Sequence, residues 1–199
     1  NSVANNTVLG ESALDASVSG SANTAIGASS LTELTSGNHN TAIGRETLKY
    51  TTTASQNVAV GAESLKLNTT GYNTAIGYQA MVSNTTGYDN VALGRNALDA
   101  NTTGLVNTAI GVDALGSNTT ANHNTAVGRE ALKNTTTGVQ NTSVGNESLK
   151  LNTTASNNTA VGYQALVSNT TGTENTSVGG NSLDANTTGN YNAAIGRSA

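Results

Sequence analysis

Asn107-Thr108-Ala109-Ile110-Gly111-Val112-Asp113-Ala114-Leu115-Gly116-Ser117-Asn118-Thr119-Thr120-Ala121-Asn122-His123 runs directly into Asn124-Thr125-Ala126-Val127-Gly128, where the same phrase begins again. Outward from this stretch, a glycine preceded by Ile, Val or Leu stands at Gly10, Gly27, Gly44, Gly61, Gly77, Gly94, Gly111, Gly128, Gly145, Gly162, Gly179 and Gly196, so the chain is twelve copies of one unit. Ten of the eleven intervals are 17 residues. The step from Gly61 to Gly77 is 16, because Gly71-Tyr72-Asn73 replaces the longer Gly87-Tyr88-Asp89-Asn90 of the next copy. A fixed short period of this kind marks a repeat architecture. The repeat runs unbroken over residues 1–199, which reads as a single domain.

Composition narrows the architecture. Hydrophobic residues make up 35%, aromatics 3%, and Phe, Trp, Pro and Cys are absent, so no thick core is available and the interior must be thin and repetitive. Charged residues are 10% and the apolar positions are phased, which separates the chain from disordered sequences of low hydrophobicity. A net charge of −4, with eight Lys plus Arg spread along the chain, argues against nucleic acid as a partner. No stretch reaches the roughly 18 apolar residues of a membrane-spanning helix.

Each unit carries three features with a physical purpose. The first is a short β-favouring stretch such as Val58-Ala59-Val60 or Val91-Ala92-Leu93, whose period of two predicts a strand with its Thr, Val and Ile face turned inward. The second is a Leu or Met four residues after the glycine, from Leu14 through Met81 to Leu183, always preceded by Ala, Ser or Thr. Large beside small at a fixed place in every turn predicts ladders of like residues stacked inside a solenoid. The third is the Asn-Thr-Thr-Gly corner at Asn68, Asn84, Asn101 and Asn186, where Asn bonds nearby backbone and Gly takes positive φ. Asn, Thr and Gly recur too often for a helix.

The predicted fold is therefore all-β, a parallel β-solenoid of twelve coils of about 17 residues. A rise of about 4.8 Å per coil gives a rod roughly 55 Å long. Stacking also places Glu46 beside Glu63 and Lys49 beside Lys66, a pattern that returns at Glu130, Glu147, Lys133 and Lys150. That return belongs to a longer period: Arg45-Glu46-Thr47-Leu48-Lys49 recurs as Arg129-Glu130-Ala131-Leu132-Lys133, and Tyr78-Gln79-Ala80 as Tyr163-Gln164-Ala165, five coils on. Block duplication suits a spacer or a multivalent surface, whose length changes without loss of function.

The block Asn73-Thr74-Ala75-Ile76-Gly77-Tyr78-Gln79-Ala80-Met81, followed by Ser83-Asn84-Thr85-Thr86-Gly87, resembles the repeats of bacterial surface and phage tail-fibre proteins. These are similar to the YadA-like heads of trimeric autotransporter adhesins. The resemblance covers all twelve copies and implies a left-handed parallel β-roll, three chains packed into a trimer, and an extracellular place on a cell surface or virion tail fibre. The 17-residue turn with its added corner departs from the adhesin-head pattern, which bears on trimerisation more than on the coil. The meagre interior of a single rod also favours a homotrimer, with Ala25, Ala42, Ala75, Ala109 and Ala126 letting chains approach.

No catalytic, cofactor-binding or metal-binding residues are assigned, and no binding residues can be named. His39 and His123 share one repeat position five coils apart, about 24 Å, so they cannot hold one metal within a chain. The acidic residues show neither the spacing of a calcium loop nor a glycosidase pair, and the chain reads as non-enzymatic. Eight Asn-Thr-Thr triplets, among them Asn118, Asn134, Asn152 and Asn169, match the glycosylation sequon. Tyr72 and Tyr88 lie on adjacent coils as a candidate sugar-stacking patch. The Thr69, Thr85, Thr102, Thr119, Thr136, Thr153, Thr170 and Thr187 row offers a third function, ice binding.

The reading that results is a structural and adhesive module of an extracellular fibre, meeting a glycan or protein receptor through many weak contacts. The alternative is a subunit that stacks end to end into a filament, since the chain opens at Asn1 inside a corner and closes at Ala199 in mid-coil without caps.

Overall fold

A computed structural model describes residues 5–199; the start of the chain at Asn1 lies outside the described residues. The chain winds as a parallel β-solenoid with one three-residue strand per turn: β1 Thr7–Leu9, β2 Thr24–Ile26, β3 Thr41–Ile43, β4 Val58–Val60, β5 Thr74–Ile76, β6 Val91–Leu93, β7 Thr108–Ile110, β8 Thr125–Val127, β9 Thr142–Val144, β10 Thr159–Val161, β11 Thr176–Val178 and β12 Ala193–Ile195. They form one twelve-stranded sheet in sequence order. Like residues stand over like, as Thr108 over Thr125 and Ala109 over Ala126. The short coil keeps this register, with Val58 paired to Thr74.

The opposite wall is built of turns. After each strand the glycine takes a φ near that of Gly94, +143°, and three further residues per coil adopt left-handed backbone, as do Asp113 (57°), Leu115 (50°) and His123 (58°). Each such residue costs about 1–2 kcal/mol. What offsets this is the neighbouring coil, because main-chain hydrogen bonds continue from turn to turn outside the strands: Asp113 N donates to Arg95 O at 3.0 Å and Leu115 N to Ala131 O at 3.0 Å.

The interior is one column of Leu or Met flanked by small residues. Leu31, Leu48, Leu65, Met81, Leu98, Leu115, Leu132, Leu149 and Leu166 are all fully buried, as are Ala80, Ala97, Ala114 and Ala131 beside them. The stacked ladder read from the sequence is present. The strand, however, faces the other way. Its middle residue fills the interior, with Ala25, Ala42, Ala59, Ala75, Ala92 and Ala109 at 0% exposure, while Ile43, Val58, Ile76, Val91 and Leu93 lie 36–43% exposed on the outside. The reason is thickness: a coil this tight has room for only a methyl group opposite the leucine, so the bulky β-branched residues turn outward. The alanines expected between chains are inside their own chain.

Two ladders of buried asparagine tie the coils, the first along the rod and the second from Asn68 onward. Asn107 Nδ2 donates to Ala121 O at 2.8 Å, closing the coil on itself, and Asn118 Nδ2 reaches the same carbonyl at 3.2 Å. Asn107 Oδ1 accepts the Asn124 N–H of the next coil at 3.0 Å, and Asn118 Nδ2 also donates to Asn101 Oδ1 of the preceding coil at 2.8 Å. The corner glycines are thereby explained differently from expectation. None has positive φ; the left-handed residue comes later, at positions such as Asp89. Gly87 sits close to Asn84, with an added Cβ 2.5 Å from Asn84 Oδ1, yet the same position holds buried Ala121 and Ala155 in other coils, so glycine is favoured but not required there.

The second ladder begins at Asn68, after Leu34 and Thr51 in the same place, and has one defect within its length. At Thr135 the triplet Asn134-Thr135-Thr136 is shifted by a residue, so Thr135 occupies the ladder site and donates to Asn152 O at 3.2 Å. Asn118 Oδ1 is left buried with no partner. Thr135→Asn should restore the donor and raise stability by about 1–2 kcal/mol, read as a higher denaturant midpoint with an unchanged slope; a lower midpoint would show that the site does not accept an amide.

Candidate functional surface

The outer face of the sheet is the most extended feature of the rod. Period two in the strand sets two parallel columns outward, one of Thr or Val and one of Ile, Val or Leu, about 6.6 Å apart and running the length of twelve strands. Val58, Val91, Leu93, Val144 and Val161 are among its exposed members. The strip joins an aliphatic column to a mostly threonine one, on the order of 500 Å² in all, at the upper range for exposed patches of a typical monomer.

A second surface is charged. Lys66 Nζ lies 2.6 Å from Glu46 and 3.9 Å from Glu63, while Arg45 bridges the same carboxylates at 3.3 and 2.6 Å. The duplicate cluster repeats this, with Lys150 2.7 Å and Arg129 2.8 Å from Glu130. Stacked like charges are thus bridged between coils. The Lys66 ammonium holds the Glu46 carboxyl below the usual carboxylate range. Lys150 does the same for Glu130, and the carboxylates raise both lysines in return. For Glu63 the leading cause is the Gln79 amide, which donates at 3.1 Å.

The remaining residues singled out in the sequence fall into place individually. His39 and His123 are both exposed, on left-handed backbone, in the variable row they share with Tyr72, Asp89 and Val106. Tyr72 and Tyr88 are exposed at 62% and 43% on neighbouring coils. The corner threonines use their hydroxyls internally: Thr85 Oγ1 donates to Thr102 O at 2.9 Å and Thr102 Oγ1 to Thr119 O at 3.0 Å. Of the sequon asparagines, Asn68, Asn84, Asn101, Asn118, Asn152 and Asn169 are fully buried in the ladder, so the folded rod presents no amide there for modification. Asn134, displaced from the ladder, is only half-buried.

What sequence reasoning missed was the outward strip, because hydrophobicity alone assigned Ile and Val to the inside. The signal that could have found it was the size of the middle residue, always Ala or Ser between Gly27 and Gly179. Comparison with protein-family models, with curated proteins and with solved structures finds no match to this chain.

Proposed function

We propose that this chain is a rigid, non-catalytic module of an extracellular fibre, on a cell surface or a virion tail, whose copies associate side by side as a homotrimer through the outer face of the sheet. The observation that carries this reading is the outward column of Ile, Val and Leu that runs unbroken along all twelve strands, beside a column mostly of Thr. A strip of about 500 Å² is smaller than the roughly 800 Å² per partner of a stable pairwise interface. Three chains around an axis bring every strip to the centre and remove it from water. The outward variable rows, with Tyr72, Asp89, Val106 and His123, then remain free for weak, repeated contacts with a glycan or protein receptor, which gain strength by multiplicity.

Light scattering over a wide concentration range tests the assembly. The expected result is a constant mass three times 19.9 kDa, falling to one chain in the double variant Val144→Glu, Val161→Glu with its β-type circular dichroism intact. A mass that climbs with concentration, with rods longer than one chain in micrographs, would overturn the trimer in favour of end-to-end filaments.

A further inference from the structure

We propose that the row of residues directly after the turn glycines is a track for a carboxylate-bearing polysaccharide, seated on Tyr78 and Arg95. This rests on the reading above in that the rod is taken to meet a receptor, and it names that receptor's chemistry. All four arginines of the chain stand in this one row, at Arg45, Arg95, Arg129 and Arg197, with Tyr78 and Tyr163 among them. Block duplication accounts for only one of these coincidences. Arg129 copies Arg45, but Arg95 and Arg197 have Gly180 and Val112 in the corresponding places of the other cassette. From Arg45 to Arg197 the row holds no acidic residue.

The stacked main chain fixes the spacing. Asn96 N donates to Tyr78 O and Asp113 N to Arg95 O, both at 3.0 Å, so Tyr78 and Arg95 are neighbours on successive coils, about 4.8 Å apart along the rod. Both side chains are exposed. Arg45 and Arg129 are held by Glu63 and Glu130 at 2.6 and 2.8 Å. Arg95 is followed by Asn96 instead of a glutamate, and Asp113 of the next coil is paired with Lys133 at 3.5 Å; among the described residues Arg95 makes no ion pair. The cation over a ring among those residues is Lys49 at Tyr50, so neither the Tyr78 ring nor the Arg95 fork is taken by the other. A cavity of about 260 Å³ beside Gly116, lined from Asn96 to Lys133, includes no residue of the row.

A planar guanidinium forks onto a carboxylate, and a tyrosine ring takes the C–H face of a sugar. One coil apart, the two fit an acidic sugar and its neighbour in a chain. Denser polyanions fit poorly. The arginines recur about 10 to 19 Å apart, whereas nucleic acid carries a charge about every 3.4 Å of strand. The adjoining row, with Glu46, Glu63, Glu130 and Glu147, repels closely spaced anions. The duplicate cassette supplies an internal comparison, since Tyr163 has Gly180 where Tyr78 has Arg95. One full site per chain is the consequence.

Isothermal titration of the intact protein with a hyaluronan tetrasaccharide, which bears a carboxylate on every second sugar, is the test. A neutral dextran fragment and an oligothymidylate at equal ionic strength are the comparisons. The expected result is saturable hyaluronan binding at one equivalent per chain, with no dextran binding and weaker oligothymidylate binding. Affinity should fall at least about fivefold in Arg95→Gln and in Tyr78→Ala, and hold in Tyr72→Ala, which is off the row. Gly180→Arg should add a second equivalent, because a Cβ there meets only Tyr163 O at 3.9 Å. A flat hyaluronan titration, tighter binding of oligothymidylate, or unchanged affinity in Arg95→Gln with normal circular dichroism would each overturn the proposal. Mass is read by light scattering on the same samples, so a lone chain that still binds would overturn the trimer and leave the site standing.

Discussion

The Gly94→Ala chain is expected to melt in two steps where the wild type melts in one. A Cβ at residue 94 would lie 2.6 Å from the Gly111 carbonyl carbon and closer still to its oxygen, both rigid backbone of the next coil. The φ of +143° is one that a side chain rarely adopts. Steric clash and backbone strain together exceed about 4–5 kcal/mol, the upper end for single substitutions. In a stacked array that loss falls on one interface between neighbours, not on every coil. The rod should divide at the sixth coil into blocks that unfold separately by calorimetry. Gly196→Ala is the matched control, since a Cβ there meets only Ala199 Cβ at 3.8 Å. A single sharp transition in Gly94→Ala, close to that of Gly196→Ala, would show that the coils shift apart without losing contact.

Asn107→Ala is expected to cost about 2–4 kcal/mol, the second largest effect. It removes the bond that closes the seventh coil and leaves the Asn124 N–H without its acceptor in a fully buried place. Asn107→Asp separates the two roles, because it keeps an acceptor for Asn124 and loses the donor to Ala121. The carboxylate oxygen that replaces Nδ2 would face Ala121 O and Asn90 Oδ1 in a fully buried place, so Asp should be the harsher change at neutral pH. Denaturant midpoints of the two variants decide it; an alanine variant within about 0.5 kcal/mol of wild type would show that the ladder is dispensable.

How much of this was legible in the sequence depends on whether a property is set by spacing or by crowding. The spacing from Gly10 to Gly196 and the fixed Leu four residues after each glycine determine coil number, parallel order and the interior column, and all three were read correctly. The stacking of Glu46 by Glu63 and of Lys49 by Lys66 followed from the same arithmetic, but not the reach of Lys66 and Lys150 back to Glu46 and Glu130 of the preceding coil. The direction of the strand did not, because alternation says only that two faces exist; which one enters is decided by the space left beside Leu98 or Leu115. The corner glycines were assigned positive φ by analogy with ordinary turns, whereas Gly87 has no such backbone and Ala121 and Ala155 take the same place in other coils. The cavity beside Gly116 was out of reach, since its lining, from Asn96 to Lys133, converges only after stacking.

The left-handed residues of every turn carry one more implication, which concerns how such a rod comes into being. A coil with Asp113, Leu115 and His123 all at positive φ has no reason to form alone, and its hydrogen bonds run to the coils on either side. A folded coil is therefore the template for the one after it. Parallel sheets ordinarily fold slowly because their partners are distant in sequence. Here each strand pairs with one only 16 or 17 residues further on, as Thr108 with Thr125. The chain can be laid down turn by turn as it emerges from a ribosome or a secretion pore, each new segment needing only the last one to be in place.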